Sequence, residues 1–386
     1  MAVRIGTGLS TGMDVRSAAI EAGAAARSGL GGRSCDLAVV FASGAHLAAP
    51  EATLDAVHEA LAPAEVIGCG AGGVIRDDQE VEDGTAIAIW AAHLDDGGAE
   101  AFHASVEELE EGAGALTGMP ELGGADAVFL LADPATFPTD AVLRFLSDSA
   151  PMVPLLGGLV SGRTADGAVL FCGGDVQSDG AVGVRLDGVE VIPLVSQGAS
   201  PIGPELTITA ADGNIIDELA GRPALEKLRE TIETLPAEAL QLVQGGLLMG
   251  IVVDSNKPEY VQGDFLVRGL VGADPATGKV AVAADVHPGQ VVRLHARDAA
   301  SADRDLREAL RVRMDALGGR TPAGALVFSC NGRGREMFAC AHHDAEAVAN
   351  ALLGAPAAGF FAAGEIGPVG GEYFLHGFTA TVAVFP

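Results

Sequence analysis

Two short stretches near the carboxyl end hold the residue types that chemistry needs. The first is Ser329-Cys330-Asn331-Gly332-Arg333-Gly334, which breaks out of the apolar run Ala325-Leu326-Val327-Phe328. The second is Gly364-Glu365, which follows Gly359-Phe360-Phe361-Ala362-Ala363. A thiol, an amide, a guanidinium and a carboxylate at the ends of two buried strands point to a site, because ligands of parallel sheets collect at the strands' carboxyl ends. Cys330 reads three ways. As a nucleophile it needs a base within reach and a lowered pKa. His342, His343 and His376 are the histidines near it in sequence, none in a recognised cysteine-hydrolase motif, and Arg333 is placed to stabilise a thiolate. As a ligand-lining residue it needs only its position, and as a small buried residue it needs neither. Glu365 reads two ways. A carboxylate flanked by core residues is costly unless it is paired. Its partner is either an arginine of the protein, Arg333 or Arg335, or an amine or guanidinium of a ligand.

The elements that must position these residues recur along the chain. Leu37-Ala-Val-Val-Phe41 gives way to Ser43-Gly44-Ala45-His46, a helical stretch follows with Leu54, Val57 and Leu61 on one face, and Val66-Ile67 enters Gly68-Cys69-Gly70-Ala71-Gly72-Gly73. A second copy runs from Ala127-Val-Phe-Leu-Leu131 through a helix with Val142, Leu143 and Leu146 to Val153-Pro-Leu-Leu156 and Gly157-Gly158-Leu-Val-Ser-Gly162-Arg163. The stretch from Gly324 to Gly371 is the third, with room for an extra short strand around Glu336 to Cys340. Each copy is followed by a period-2, hairpin-like run: Thr85 to Trp90, Ala181 to Leu186 and Phe378 to Val384. The glycines of Gly68 to Gly73 invite a dinucleotide reading, but that chemistry needs a helix to begin directly after them. Val74-Ile-Arg-Asp-Asp-Gln-Glu leads instead towards a hairpin, so a tight turn is expected and no cofactor.

A net charge of −29, from 23 basic and 52 acidic residues, argues against nucleic acid or an anionic membrane as partner. No apolar stretch is long enough to span a bilayer, and no signal peptide is visible in Met1 to Ala26. Five cysteines without framework spacing fit free thiols in a reducing cytoplasm. Nine histidines show no metal-ligand spacing, and an aromatic content of 4% leaves too little for an aromatic cage. The acidic run Glu107 to Gly114 reads as a solvated connector.

With 386 residues, two or three domains are expected. Ser10 to Leu30 reads as a helix, and Ser196 to Pro204, with Pro and Gly in close succession, as the boundary between domains at about 1–200 and 201–386. Beyond it come a helix over Pro223 to Leu235, a strand-type run over Gly246 to Val253, a hairpin over Phe265 to Val271 and Lys279 to Ala283, another strand over Gln290 to Arg297, and a helix over Ser301 to Leu317. The fold class is α/β, with α+β open: repeated strand-helix-strand-hairpin units forming mixed sheets, and a separate hairpin-rich block before the third unit.

Five segments together resemble the FIST family, the sensory domain of F-box and intracellular signal-transduction proteins. They are Asp36-Leu-Ala-Val-Val-Phe-Ala-Ser43, Val66 to Gly73, Gly263-Asp-Phe-Leu-Val-Arg268, Phe328-Ser-Cys-Asn-Gly-Arg-Gly334 and Gly359 to Gly367. The resemblance implies an N-terminal and a C-terminal FIST part and a domain that senses small ligands, amino acids being the suggested class. Many members carry kinase, cyclase or chemotaxis outputs. None is visible here, which implies a stand-alone binder acting through a protein signalling partner. On this reading Ser43, Gly44, His46, Cys69, Gly70, Cys330, Asn331, Arg333, Gly364 and Glu365 line the ligand, with Arg163 and Arg268 as anion anchors. The alternatives are a cysteine-dependent enzyme built on Cys330 and a non-catalytic interaction scaffold.

Overall fold

The computed structural model describes residues 3–108, 114–243, 246–260 and 263–386, so most of the acidic connector at 109–113 lies outside the described residues. The chain divides into two compact units. One is Met1–Val195 with Arg307–Leu375 and Thr379–Pro386; the other is Ser196–Leu306 with His376–Phe378.

In the first unit a sequence of strand, helix, parallel strand, hairpin and antiparallel return strand occurs three times among the described residues. The first copy has Leu37–Ser43, helix Pro50–Leu61, Glu65–Ala71, hairpin strands Val74–Arg76 and Gln79–Val81, and return strand Ala86–His93. The second has Ala127–Ala132, helix Thr139–Ser149, Leu155–Leu159, hairpin strands Leu170–Cys172 and Asp175–Gln177, and Ala181–Asp187. The third has Gly324–Cys330, helices Gly334–Phe338 and His343–Ala351, Ala357–Ala362, hairpin strands Glu365–Val369 and Glu372–His376, and Thr379–Phe385. Within each copy the first strand runs parallel to the second and antiparallel to the return strand.

The hairpins are exchanged. That of the first copy pairs with Ala357–Ala362 of the third, that of the third with Leu155–Leu159 of the second, and that of the second with Glu65–Ala71 of the first. The exchange closes a ring, so each of the three sheets is completed by a neighbour.

Alternation along each strand divides the core. Leu37, Val39 and Phe41 face a central core shared with Phe129 and Leu131 of the second copy and Leu326, Phe328, Phe360 and Phe385 of the third. Ala38, Val40 and Ala42 face the helices through Ala22, Leu54 and Val57. Strands covered on both faces explain why the sequence shows them as unbroken apolar runs. Rings from different copies meet at the centre, Phe41 with Phe360 at 5.1 Å and Phe129 with Phe328 at 6.2 Å between centroids. A glycine stands at the same place on the second strand of each copy: Gly68 opposite Val40, Gly157 opposite Leu130 and Gly359 opposite Val327. A Cβ at any of the three would strike the facing carbonyl oxygen, so only glycine lets these strands close up.

Three local expectations change. The period-2 runs are not hairpins but single return strands, because the hairpin precedes each of them and leaves for another sheet. Around Glu336 to Cys340 there is a helix, Gly334–Phe338, rather than a strand; Gly334 takes φ +67° and the Arg335 amide donates to Glu82 Oε2 at 2.9 Å. Near the amino end Arg4–Ser10 is a strand paired with Ala86–His93. The helix starts only at Val15, where the Asp14 side chain accepts from the Ser17 amide.

In the second unit Ala199–Asp212, Val291–Arg297, Leu247–Val252, Phe265–Asp274, Lys279–Val282 and Ile215–Leu219 pair antiparallel in that order. Ile215–Leu219 pairs back with Ala199–Asp212, closing a barrel-like ring around Ile208, Ile251, Val282 and Leu294, against which Leu228 of helix Ala224–Glu233 packs. The whole is α/β with mixed sheets. Among the described residues no helix is long and apolar enough to cross a membrane.

Candidate functional site

The ends of the three second strands interlock. The Gly162 amide donates to Gly70 O at 3.2 Å, and Gly72 N donates to Ser161 Oγ at 2.8 Å. Ser161 Oγ in turn donates to Phe361 O. Phe361 N reaches Gly73 O at 3.0 Å, and Leu159 N reaches Gly364 O at 2.8 Å. The glycine-rich stretch Gly68 to Gly73 is therefore not a tight turn but the end of the strand Glu65–Ala71 and a joint between copies, and the strand Val74–Arg76, not a helix, follows it. Gly70 and Gly364 belong to this joint. Cys69 points into the central core, where burial pushes its thiol far above the ordinary range.

The first strands end in different chemistry in each copy. In the first, Ser43 Oγ donates to Gly84 O at 3.0 Å, Gly44 turns the chain at φ +63° into a short helix, and His46 is buried, which pulls its pKa down. In the second, buried Asp133 pairs with Arg163 and accepts Thr136 Oγ1 at 2.7 Å. In the third, Cys330 is 7% exposed and its sulfur accepts the Gly332 amide at 3.4 Å, while Asn331 is exposed. Arg268 lies on Phe265–Asp274 of the second unit, where its Nη1 donates to Val267 O at 3.3 Å.

Behind Cys330 stands a buried ionic cluster. Arg333, fully buried, donates through Nε and Nη2 to Asp344 Oδ2 and Oδ1 at 2.6 and 2.9 Å, the fork geometry that suits a carboxylate. Asp344 also accepts Ser329 Oγ at 2.6 Å, and His343 Nδ1 lies 2.9 Å away. Burial works to raise the Asp344 pKa, but the guanidinium and these hydrogen bonds hold it well below the usual carboxylate range. The amides of Asp344 and Ala345 both donate to Glu80 Oε1 at 3.0 Å. Glu80 arrives on the first copy's hairpin and caps the helix of the third; burial raises its pKa to about 7.

Glu365 is fully buried. The amide and hydroxyl of Thr379 donate to its Oε2 at 3.1 and 2.6 Å. Its Oε1 has no hydrogen-bond partner among the described residues, and neither has the hydroxyl of fully buried Thr381. Burial lifts the Glu365 pKa to about 8, against Thr379, the Cys330 thiol and the Arg333 guanidinium, which all favour the ionised form. Arg333 gives its fork to Asp344 and Arg335 pairs with Glu82, while Thr379 and the Cys330 thiol hydrogen-bond Glu365.

The structure thus brings Cys330 and Arg333 of the third copy beside Glu365, at the start of the hairpin strand that joins the second copy's sheet, and places Ser43, Gly44 and His46, then Arg163, at the strand ends of other copies. Asp344, Glu80, Thr379 and Thr381 were not singled out from sequence. For the two threonines the signal was present: Thr379-Ala380-Thr381 puts hydroxyls where the first copy has Ala86 and Ala88. Glu80 carried none, since its contact depends on the exchange.

Fold and site define an α/β protein of three hairpin-exchanging copies with a buried acidic niche in the third. The chain belongs to the FIST family, whose FIST N domain matches residues 36–222 and whose FIST C domain matches 224–368. Domains of this family are signal-transduction sensory domains suggested to bind small ligands. The uncharacterized protein Rv0628c of Mycobacterium tuberculosis is 45% identical over 386 residues, covering 99% of this chain and 100% of its own. The uncharacterized protein Mb0898c of Mycobacterium bovis is 44% identical, with 99% of each chain covered.

Proposed function

We propose that this protein senses an amino acid or a similarly small polar metabolite in a reducing cytoplasm and passes the signal to a protein partner. The ligand is taken beside Cys330, Asn331, Gly364 and Glu365. One observation carries this reading. Each hairpin opens with a residue that pairs with the second strand of the next sheet: Val74 opposite Phe360, Leu170 opposite Cys69 and Glu365 opposite Gly158. Val74 and Leu170 are central-core residues. The fold is satisfied by an aliphatic side chain there, so a buried carboxyl group in the third copy answers a need other than folding.

A thermal-shift screen of amino acids and related metabolites tests the reading. Ligand at a hundred times its Kd adds about 2.7 kcal/mol to stability, a readily measured shift. The wild-type protein is expected to shift and Glu365→Gln to lose the shift. Cys330→Ser is expected to fold normally and to change affinity about tenfold, about 1.4 kcal/mol. No shift with any compound at millimolar concentration overturns the reading, and loss of a turnover activity in Cys330→Ser with binding intact replaces it by an enzyme.

A further inference from the structure

Across each sheet of the first unit, one row of paired residues runs from return strand through first and second strands to the borrowed hairpin. The rows are Ala88, Phe41, Cys69, Leu170; Val182, Leu131, Gly158, Glu365; and Thr381, Phe328, Phe360, Val74. Among these twelve positions Glu365 and Thr381 alone carry oxygen in their side chains, and they are the ones with buried oxygen atoms lacking a partner. Both come from the third copy. Thr379, two residues before Thr381 on the same face, donates to Glu365 Oε2, the Cys330 thiol and the Arg333 guanidinium also act on the carboxyl group, and Oε1 has no hydrogen-bond partner among the described residues. Glu365 itself is fully buried, while Asn331 next to Cys330 and Ala363 next to Gly364 are exposed.

Resting on the sensor reading above, we propose that Glu365 Oε1 is the receptor for a protonated amino group, and that the ligand is recognised through its ammonium with release of one proton from the protein. A carboxylate oxygen accepts only, so the group that completes it must donate, and a buried carboxylate is tolerated when a cation meets it. The second copy shows the cost being met internally, where Asp133 has Arg163. In the third copy Arg333 favours the ionised form of Glu365 but gives its fork to Asp344. With its pKa raised to about 8 by burial, Glu365 holds its proton at neutral pH in the free protein. Binding then exchanges charge for charge: the ammonium enters, the carboxyl O–H gives its proton to solvent, and a carboxylate–ammonium pair remains.

The experiment compares L-alanine, L-leucine and L-phenylalanine with lactate, leucate and phenyllactate, which replace the ammonium by a hydroxyl, by calorimetry from pH 6 to 9. The expected result is binding of the amines only, with Kd falling about tenfold per pH unit up to pH 8 and flat beyond. At pH 7, titrations in buffers of different ionisation enthalpy should show about one proton released per ligand. Glu365→Gln, which keeps shape, should weaken amine binding at least tenfold and abolish the pH slope. If amines and hydroxy acids bind alike with a flat pH profile, the ammonium receptor is wrong while the sensor stands. If none of the six binds at any pH, the ammonium receptor falls, and the sensor reading stands or falls with the wider thermal-shift screen. Should Glu365→Gln not fold, the wild-type pairwise comparison and proton count decide alone.

Discussion

Glu365 was legible in the sequence as a carboxylate that the core draws in from both flanks, and the structure buries it completely. Its partner was not legible, because Thr379 reaches it from the return strand after an intervening hairpin. The same held for Arg333, read as stabilising a Cys330 thiolate or pairing with Glu365: it is among the most buried side chains here, with Asp344 as its fork partner. A raised carboxyl pKa has a definite sign in stability. The native state holds the Glu365 proton more tightly than the unfolded chain, so the group is without penalty below its unfolded pKa near 4 and costs stability increasingly as pH rises to about 8. Glu365→Leu, which copies Leu170, should therefore raise the urea midpoint at pH 8, by about 1–3 kcal/mol, and by less at pH 5. A loss of stability at pH 8 would mean that the carboxyl group is structural.

At the scale of elements, strands and helices were readable from period and length, and the hairpin after Gly73 was too, whereas the period-2 runs read as hairpins are single return strands. A hairpin announces its own pairing through turn residues, but nothing local states which sheet its outer edge joins. That choice is set by the borrowed strand's register against a neighbour. The exchange has a measurable consequence at the helix His343–Ala351, whose first amides rest on Glu80 of another copy. Unfilled amides at a helix start cost about 1 kcal/mol when a cap is lost, and more when they are buried. Glu80→Ala is expected to raise hydrogen exchange selectively in this helix and to lower stability by about 1–2 kcal/mol, while Glu80→Gln, which keeps an acceptor oxygen, loses less than half of that. Equal effects of the two substitutions would show that the charge and not the cap matters.

At the scale of the molecule, three copies sharing one core behave as one thermodynamic object, and the chain contains a natural reporter of this. Its single tryptophan, Trp90, is on the return strand of the first copy, fully buried and 5.0 Å in ring separation from Phe385 of the third. Were the copies independent, damage to the third would leave Trp90 undisturbed. Hairpin exchange argues the opposite, since removing any copy strips an edge from one sheet and leaves its own hairpin without a home. Gly359→Ala tests this from within the third copy, where a methyl group would meet the Val327 carbonyl and force the strands apart. Overpacking of a closed core costs typically 1–3 kcal/mol, and a backbone collision sits at or above the upper end. The urea midpoint read by Trp90 fluorescence should fall with the midpoint read by far-UV circular dichroism, by the same free energy, as a single cooperative transition requires. A separate transition seen by dichroism but silent in fluorescence is compatible with the second unit, which has its own core and no tryptophan. A Trp90 midpoint that stays at its wild-type value while the dichroism transition weakens would show that the copies fold independently, and the ring of exchanged hairpins would then be no constraint on stability.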